Sequence, residues 1–369
     1  MNLNTRVPFM VGIVVSSCLL ASGVRAADDA PSPRDPRAAI AASQKIGPRG
    51  IQELKAVEIG GIQQWMSVRG NDAANPILLF IHGGPGSPMM PVSWSFQRPW
   101  EDFFTVVQWD QRGAGKTFAS AGQKPDGAMT IDRMQADTEE LIDYLRRTYH
   151  KDRIVLMAHS WGSILGIRVA QHHPEWLYAY VGVGQVVNAR RNETVSYQET
   201  MARAQAAGDT AAIRELKTLA PYPGSGATVP LEKVMIERKW VVALGGMMYG
   251  KRDADETAIR ALSPEYTDGD LAAVEPGEMS SVQILLPQSV DVNFDHVTTF
   301  KCPVFFFAGK DDEATPSSIV RDYFGRIRAP EKKLFMIDRA AHYVVNERPG
   351  VVLMDLVHDV RPLTQPHRN

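Results

Sequence analysis

The chain predicts an α/β architecture: a mostly parallel, eight-stranded sheet with helices on both faces and a helical cap inserted before its last strands. Three observations carry this. Pro76 to Ile81, Phe104 to Trp109 and Ile154 to Met157 are almost unbroken apolar runs, the pattern of strands covered on both faces. Segments of helical period separate them, and alternation of strand with helix makes a parallel sheet with right-handed crossovers. The rhythm stops near Val187 and resumes near Asn293, and what lies between is helical in pattern.

From the amino terminus, Arg6 precedes an apolar stretch from Val7 to Leu20, and small residues continue to Ala26. That order is a secretory leader, so residues 1–26 are expected to be a signal peptide and the protein to be exported, to a periplasm or outside the cell. The stretch is shorter than the ~20 apolar residues that span a bilayer, so no membrane contact is expected apart from the leader. Val15-Ser16-Ser17-Cys18 could instead serve as a lipoprotein cleavage site, with apolar Leu19-Leu20 following the lipidated cysteine. Loss of the leader leaves Cys302 unpaired, and the fold is expected to do without a disulfide. Residues 27–48, rich in Ala, Asp, Pro and Arg, read as an exposed linker.

The core is expected to begin at residue 49. Residues 56–59 and 62–68 alternate around Gly60-Gly61 as a hairpin with one wet face. Met134, Leu141, Ile142 and Leu145 fall at helical spacing, with Glu139, Glu140 and Arg146 opposite. The 154–157 strand is followed by a helix opening at Ser160, then by a strand over 178–183, which completes a first core segment at 187. The cap spans 188–292, with helices over 196–206, 210–219 and 231–244. A second core segment, 293–369, supplies strands at 304–308 and 333–337 and a closing amphipathic helix over 351–360.

Composition excludes more than it assigns. The 40 Lys+Arg against 42 Asp+Glu leave a net charge of -2 and no basic stripe, so no nucleic-acid partner is expected. His172-His173 and His150 end helices, where cations complement the dipole. No histidine pair shows zinc spacing with a third ligand, so neither metal nor cofactor is expected.

The chemistry centres on Ala158-His159-Ser160-Trp161-Gly162. A strand turning sharply into a helix at small-x-Ser-x-Gly lifts a hydroxyl above the sheet edge, and Ala158 keeps its position small where glycine is commoner. Serine needs a base to take its proton and an acid to orient that base, in the chain order Ser, acid, His for this architecture. After the 304–308 strand comes Gly309-Lys310-Asp311-Asp312-Glu313, and after the 333–337 strand comes Asp338-Arg339-Ala340-Ala341-His342, both at the carboxyl edge of the sheet. His342 is the expected base and Asp312 its acid, with Asp311 and Glu313 as rivals. His82-Gly83-Gly84-Pro85-Gly86 follows another strand, and the main-chain N–H groups of Gly83, Gly84 and Trp161 are the expected oxyanion donors. Asp110-Gln111-Arg112-Gly113-Ala114-Gly115-Lys116-Thr117 lacks the spacing of a phosphate loop. It reads as a turn in which Asp110 and Arg112 brace the site.

Together, His82-Gly83-Gly84-Pro85-Gly86, the Asp110 to Thr117 string, His159-Ser160-Trp161-Gly162-Ser163, Gly309-x-x-Asp312-x-x-Thr315-Pro316 and His342 resemble the proline iminopeptidase family of α/β-hydrolases. The resemblance implies release of an amino-terminal residue, usually proline, from small peptides through a serine acyl-enzyme, with Ser160, Asp312 and His342 as triad and Gly84 with Trp161 as oxyanion hole. The cap departs from the family. Where members accepting proline resemble one another in Trp-x-x-Trp-Glu, this chain has Lys239-Trp240-Val241-Val242-Ala243, without the glutamate that helps bind a free amine. Glu237, Glu265 and Glu347 are the candidate replacements, with Trp240 a candidate wall.

The leading expectation is therefore an exported serine aminopeptidase acting on small peptides; an esterase, lactonase or amidase would need the same triad and an apolar cap without an amine-binding acid. A catalytically dead binding module would be expected to have lost a triad member or the glycine turn. Serine at the elbow argues against the epoxide hydrolases and dehalogenases, which use aspartate. Oligomeric state is not legible.

Overall fold

The computed structural model describes residues 35–365, and the expected leader with Cys18 lies outside them. Eight strands form one sheet: β1 (Ile51–Ile59), β2 (Ile62–Gly70), β3 (Ile77–Ile81), β4 (Thr105–Asp110), β5 (Ile154–His159), β6 (Leu177–Val183), β7 (Val304–Gly309) and β8 (Lys332–Ile337). Their order is β1-β2-β4-β3-β5-β6-β7-β8. β1 and β2 form an antiparallel hairpin, β2 meets β4 antiparallel, and every later pairing is parallel. The hairpin is longer than the alternation around Gly60-Gly61 implied, because Ile51 to Ala56 pair in register with Trp65 to Gly70.

The apolar runs are central strands, as their lack of alternation required. β3, β4, β5 and β7 are buried at every residue. Alternate side chains feed two cores: Phe306 joins Leu156, Ile164 and Tyr323 on one face, while Phe305 and Phe307 join Phe80, Met157 and Val344 on the other. The helix Ile131–Thr148 starts at Thr130, whose hydroxyl accepts from Arg133 N, and buries Met134, Leu141, Ile142 and Leu145.

Between β6 and β7 lies the helical insertion, with main helices Ala189–Ala206, Thr210–Lys217, Leu231–Ala243 and Val274–Ser289. It has its own apolar cluster of Ala204, Leu216, Leu219, Tyr222 and Trp240. The Val274–Ser289 helix is one of its contacts with the core. Ser281 Oγ donates to the carbonyl of Gly113 at 3.2 Å, and Trp161 Nε1 donates to Ser289 Oγ at 2.8 Å. Gly86 sits under this helix in the left-handed region, φ +83°, where a Cβ would come 2.5 Å from Ser281; only glycine lets the two segments meet.

Two segments differ from expectation. Within the stretch read as a linker, Pro36–Ser43 is helical, because Pro36 opens the first turn and four alanines follow nearby. The closing helix starts at Pro349 and widens to a π turn over Leu356–Val360. Among the described residues, no helix is long and apolar enough to cross a membrane.

Candidate active site

The turn between β5 and the helix Gly162–His172 is built as a nucleophile elbow. Ser160 has φ +54°, a conformation that costs a non-glycine residue energy and is held here because its N–H donates to Val183 O at 2.9 Å. Gly162 is required by space: a Cβ there would lie 2.4 Å from the carbonyl oxygen of His82. Ala158 is tolerated because Gly166 faces it, one helical turn on, where a Cβ would come 2.8 Å from the alanine methyl.

The structure brings the three predicted side chains into contact. His342 Nε2 lies 2.8 Å from Ser160 Oγ, and His342 Nδ1 lies 3.0 Å from Oδ2 of Asp312. Asp312 is further held by Thr315, whose N–H and hydroxyl each donate to it at 2.8 Å. The rivals are engaged elsewhere. Glu313 accepts from Arg203 Nε at 2.5 Å and from Thr200, and Asp311 lies 3.7 Å from Arg203. The arrangement is able to deprotonate a hydroxyl and orient the resulting imidazolium.

Gly83, Gly84 and Trp161 line the same cavity of about 260 Å³ as Ser160 and His342. The glycine turn is pinned through His82, which is fully buried: Gln111 Nε2 donates to the His82 carbonyl at 2.9 Å, and Gln111 N–H approaches His82 Nε2 at 3.4 Å. Burial pushes His82 down to about 4, so it is neutral there. Asp110 and Arg112, read as braces of the site, make their contacts away from the cavity wall. Arg112 donates to both oxygens of Asp137, to Gly60 O and to Asp126, and Asp110 accepts from Lys116 N at 2.7 Å and from the Tyr266 hydroxyl of the insertion.

None of the four candidate substrate contacts, Glu237, Trp240, Glu265 and Glu347, lies on the cavity wall. Glu237 is wholly buried inside the insertion, accepting from Ser196 Oγ at 2.6 Å and from Arg238. Trp240 belongs to the insertion's apolar cluster and donates to Glu215 at 2.8 Å. Glu265 accepts from Ser67 Oγ on β2 at 2.7 Å. Glu347 accepts from two main-chain N–H groups, Ala341 at 2.8 Å and Tyr249 at 2.5 Å, and so ties a loop of the insertion to the loop that carries His342.

The carboxylates that do face the cavity are Glu193, Glu256 and Glu278. Glu193 is met by Arg238 and by the Tyr222 hydroxyl. Glu256 accepts from Arg260 at 3.2 Å and from Asn346 Nδ2 at 3.0 Å. Glu278 receives the Ser87 hydroxyl, and burial raises its pKa, against the pull of Arg260. Desolvation likewise raises Glu256. Sequence reasoning missed both. The available signal was the spacing Glu278, Val282, Leu286, Ser289, one face of a helix, and all four line the cavity. Ile164, Val186, Val282 and Leu286 supply an apolar wall. Among the described residues, no group of His, Cys, Asp and Glu could hold a metal ion.

Fold and site together define a hydrolase, and comparison with known proteins agrees. Residues 76–349 match the family model described as the alpha/beta hydrolase fold. A probable aminopeptidase of Bacillus subtilis, YbaC, is 31% identical over 316 residues, covering 85% of this chain and 98% of that protein. A proline iminopeptidase of Heyndrickxia coagulans is 25% identical over 308 residues, 79% of this chain and 92% of its own. Among solved structures, a proline iminopeptidase-related protein of Thermus thermophilus superposes with a TM-score of 0.57 over 85% of this chain and 99% of its own, at 18% identity, a likeness of fold. The chain belongs to the α/β-hydrolase family, among its proline iminopeptidase-like members.

Proposed function

We propose that the protein is an exported serine aminopeptidase that releases amino-terminal proline or a similar residue from small peptides. The observation that carries this is a pair of carboxylates, buried Glu256 and half-buried Glu278, in the cavity that holds Ser160. Arg260 is ion-paired with Glu256, and Glu278 is the carboxylate offered to an ammonium. Burying a carboxylate without a partner is costly, and a cationic substrate amine relieves that cost.

In this reading His342 takes the proton of Ser160 as Oγ attacks the scissile carbonyl, and Asp312 holds the Nδ1–H tautomer and stabilises the imidazolium. The N–H groups of Gly84 and Trp161 receive the developing oxyanion. His342 then gives its proton to the leaving amine, and water repeats the sequence on the acyl-enzyme. A cavity of about 260 Å³ suits one or two residues rather than a folded chain.

An esterase or amidase reading has one observation in its favour, the apolar wall of Ile164, Val186, Val282 and Leu286. Three substrates separate the two: a proline arylamide, its amino-blocked form and a short-chain aryl ester. The aminopeptidase reading expects the free amine to be preferred over the blocked compound. Preference for the blocked compound rejects amine recognition. Export rests on residues 1–26 and is checked by amino-terminal sequencing of the protein from a periplasmic or culture fraction, where a start at Ala27 or Asp28 supports it and a start at Met1 refutes it.

A further inference from the structure

Ser160 and His342 are carried by strands that are not neighbours, for β6 and β7 separate β5 from β8. The loop after β8 must therefore reach back across two strands to bring Nε2 to within 2.8 Å of Oγ. Its main chain is held on both sides of the imidazole. The N–H of His342 donates to Met247 O at 3.0 Å, and the carbonyl oxygen of His342 lies 3.0 Å from Nε2 of His159.

His159 is the residue immediately before Ser160, and it is buried at 5% exposure. A carbonyl oxygen only accepts, so Nε2 of His159 carries the proton and donates it. Its ring stands 4.7 Å from that of His342, tilted by 42°. Burial and the neighbouring His342 push His159 down to about 3. It therefore stays neutral while His342 gains and loses its proton.

We propose that His159 is a positioning residue for His342: its Nε2–H···O bond fixes the loop of the base to the strand of the nucleophile, so that one peptide unit, 159–160, sets both partners of the proton transfer. The inference rests on the reading of His342 as general base. A displacement of the order of 1 Å between nucleophile and base costs on the order of 100-fold, which makes a bond at this point matter out of proportion to its strength.

The test uses the full mature protein and an aryl ester, whose turnover needs no amine recognition. His159→Phe keeps the ring and loses the donor, and kcat is expected to fall by about tenfold to 100-fold with KM within about twofold. His159→Gln, whose amide N–H reaches the position of Nε2, is expected to recover most of that loss. A His159→Phe protein with wild-type kcat, or a His159→Gln protein no better than His159→Phe, overturns the proposal. A measurement on the wild type guards against variants that fail to fold: imidazole 15N NMR is expected to show His159 as the neutral Nε2–H tautomer from about pH 5 to about pH 9, and titration in that window or an Nδ1–H tautomer overturns it. His342→Ala separates the inference from the reading beneath it. If that variant stays active the base assignment falls, whereas an inactive His342→Ala beside a fully active His159→Phe removes the role of His159 alone.

Discussion

Asp312 meets His342 with its carboxylate locked: Oδ2 lies 3.0 Å from Nδ1 and accepts the Thr315 hydroxyl, while Oδ1 accepts the Thr315 N–H at 2.8 Å. A carboxylate held on both oxygens has no freedom to turn away. The imidazole is thereby presented to Ser160 in one tautomer.

Asp312→Asn replaces one acceptor with a donor and favours the wrong tautomer of His342. Turnover of an aryl ester at neutral pH is expected to fall on the order of 10⁴-fold, while Asp311→Asn stays within about threefold. Steady-state kinetics of the two variants check this. Equal losses would return Asp311 to contention as the orienting acid.

Glu278→Gln removes the charge proposed to meet a substrate ammonium and keeps the shape. Loss of one partner in a desolvated charge pair costs roughly 2–5 kcal/mol, so kcat/KM for a free-amine proline arylamide is expected to drop at least about 30-fold. An aryl ester without an amine should be hydrolysed within about threefold of the wild-type rate. Parallel losses on both substrates would make Glu278 a structural residue.

The pH dependence should differ between the same two substrates. Burial raises Glu278 and Glu256, so each takes up its proton at a higher pH than an exposed glutamate. On acidification, kcat/KM for the free amine is expected to fall in a limb above the ordinary carboxylate range, near pH 4.3, and the ester should lack that limb. Superimposable acid limbs for the two substrates contradict the assignment.

Asp110 supplies a stability test. It is wholly buried at the end of β4, and burial raises it to about 7, opposed by the hydrogen bonds from Tyr266 and Lys116 N. The folded-state value lies above the unfolded one. Its contribution is therefore complete below about pH 4 and is lost as pH rises through about 7. Asp110→Asn keeps an oxygen for both donors and does not titrate. Between about pH 4 and about pH 7 the wild-type Tm should fall relative to that of Asp110→Asn, and parallel Tm profiles would refute the shift.

Much of the core could be read without coordinates because its signals are local. Ile154 to Met157 and Val304 to Phe307 show their burial by composition alone, and the elbow at Ser160 needs only small neighbours and glycine at 162. Asp312 and His342 followed because each lies just after such a strand. The insertion hid its chemistry for a physical reason. Glu237 and Glu256 are both acids within helices or at their ends, and only tertiary packing turns one against Ser196 inside the insertion and the other into the cavity. Glu347, read as a possible amine ligand, instead satisfies two main-chain N–H groups, a role that no spacing in the chain displays.

The hydroxyl of Ser160 is the centre of the account, and its removal is the most direct measurement. Ser160→Ala should fold with a Tm close to that of the wild type and lose on the order of a million-fold in kcat on both the aryl ester and the proline arylamide. Retention of more than about 1% of the wild-type kcat on either substrate would place the nucleophile elsewhere and contradict the assignment.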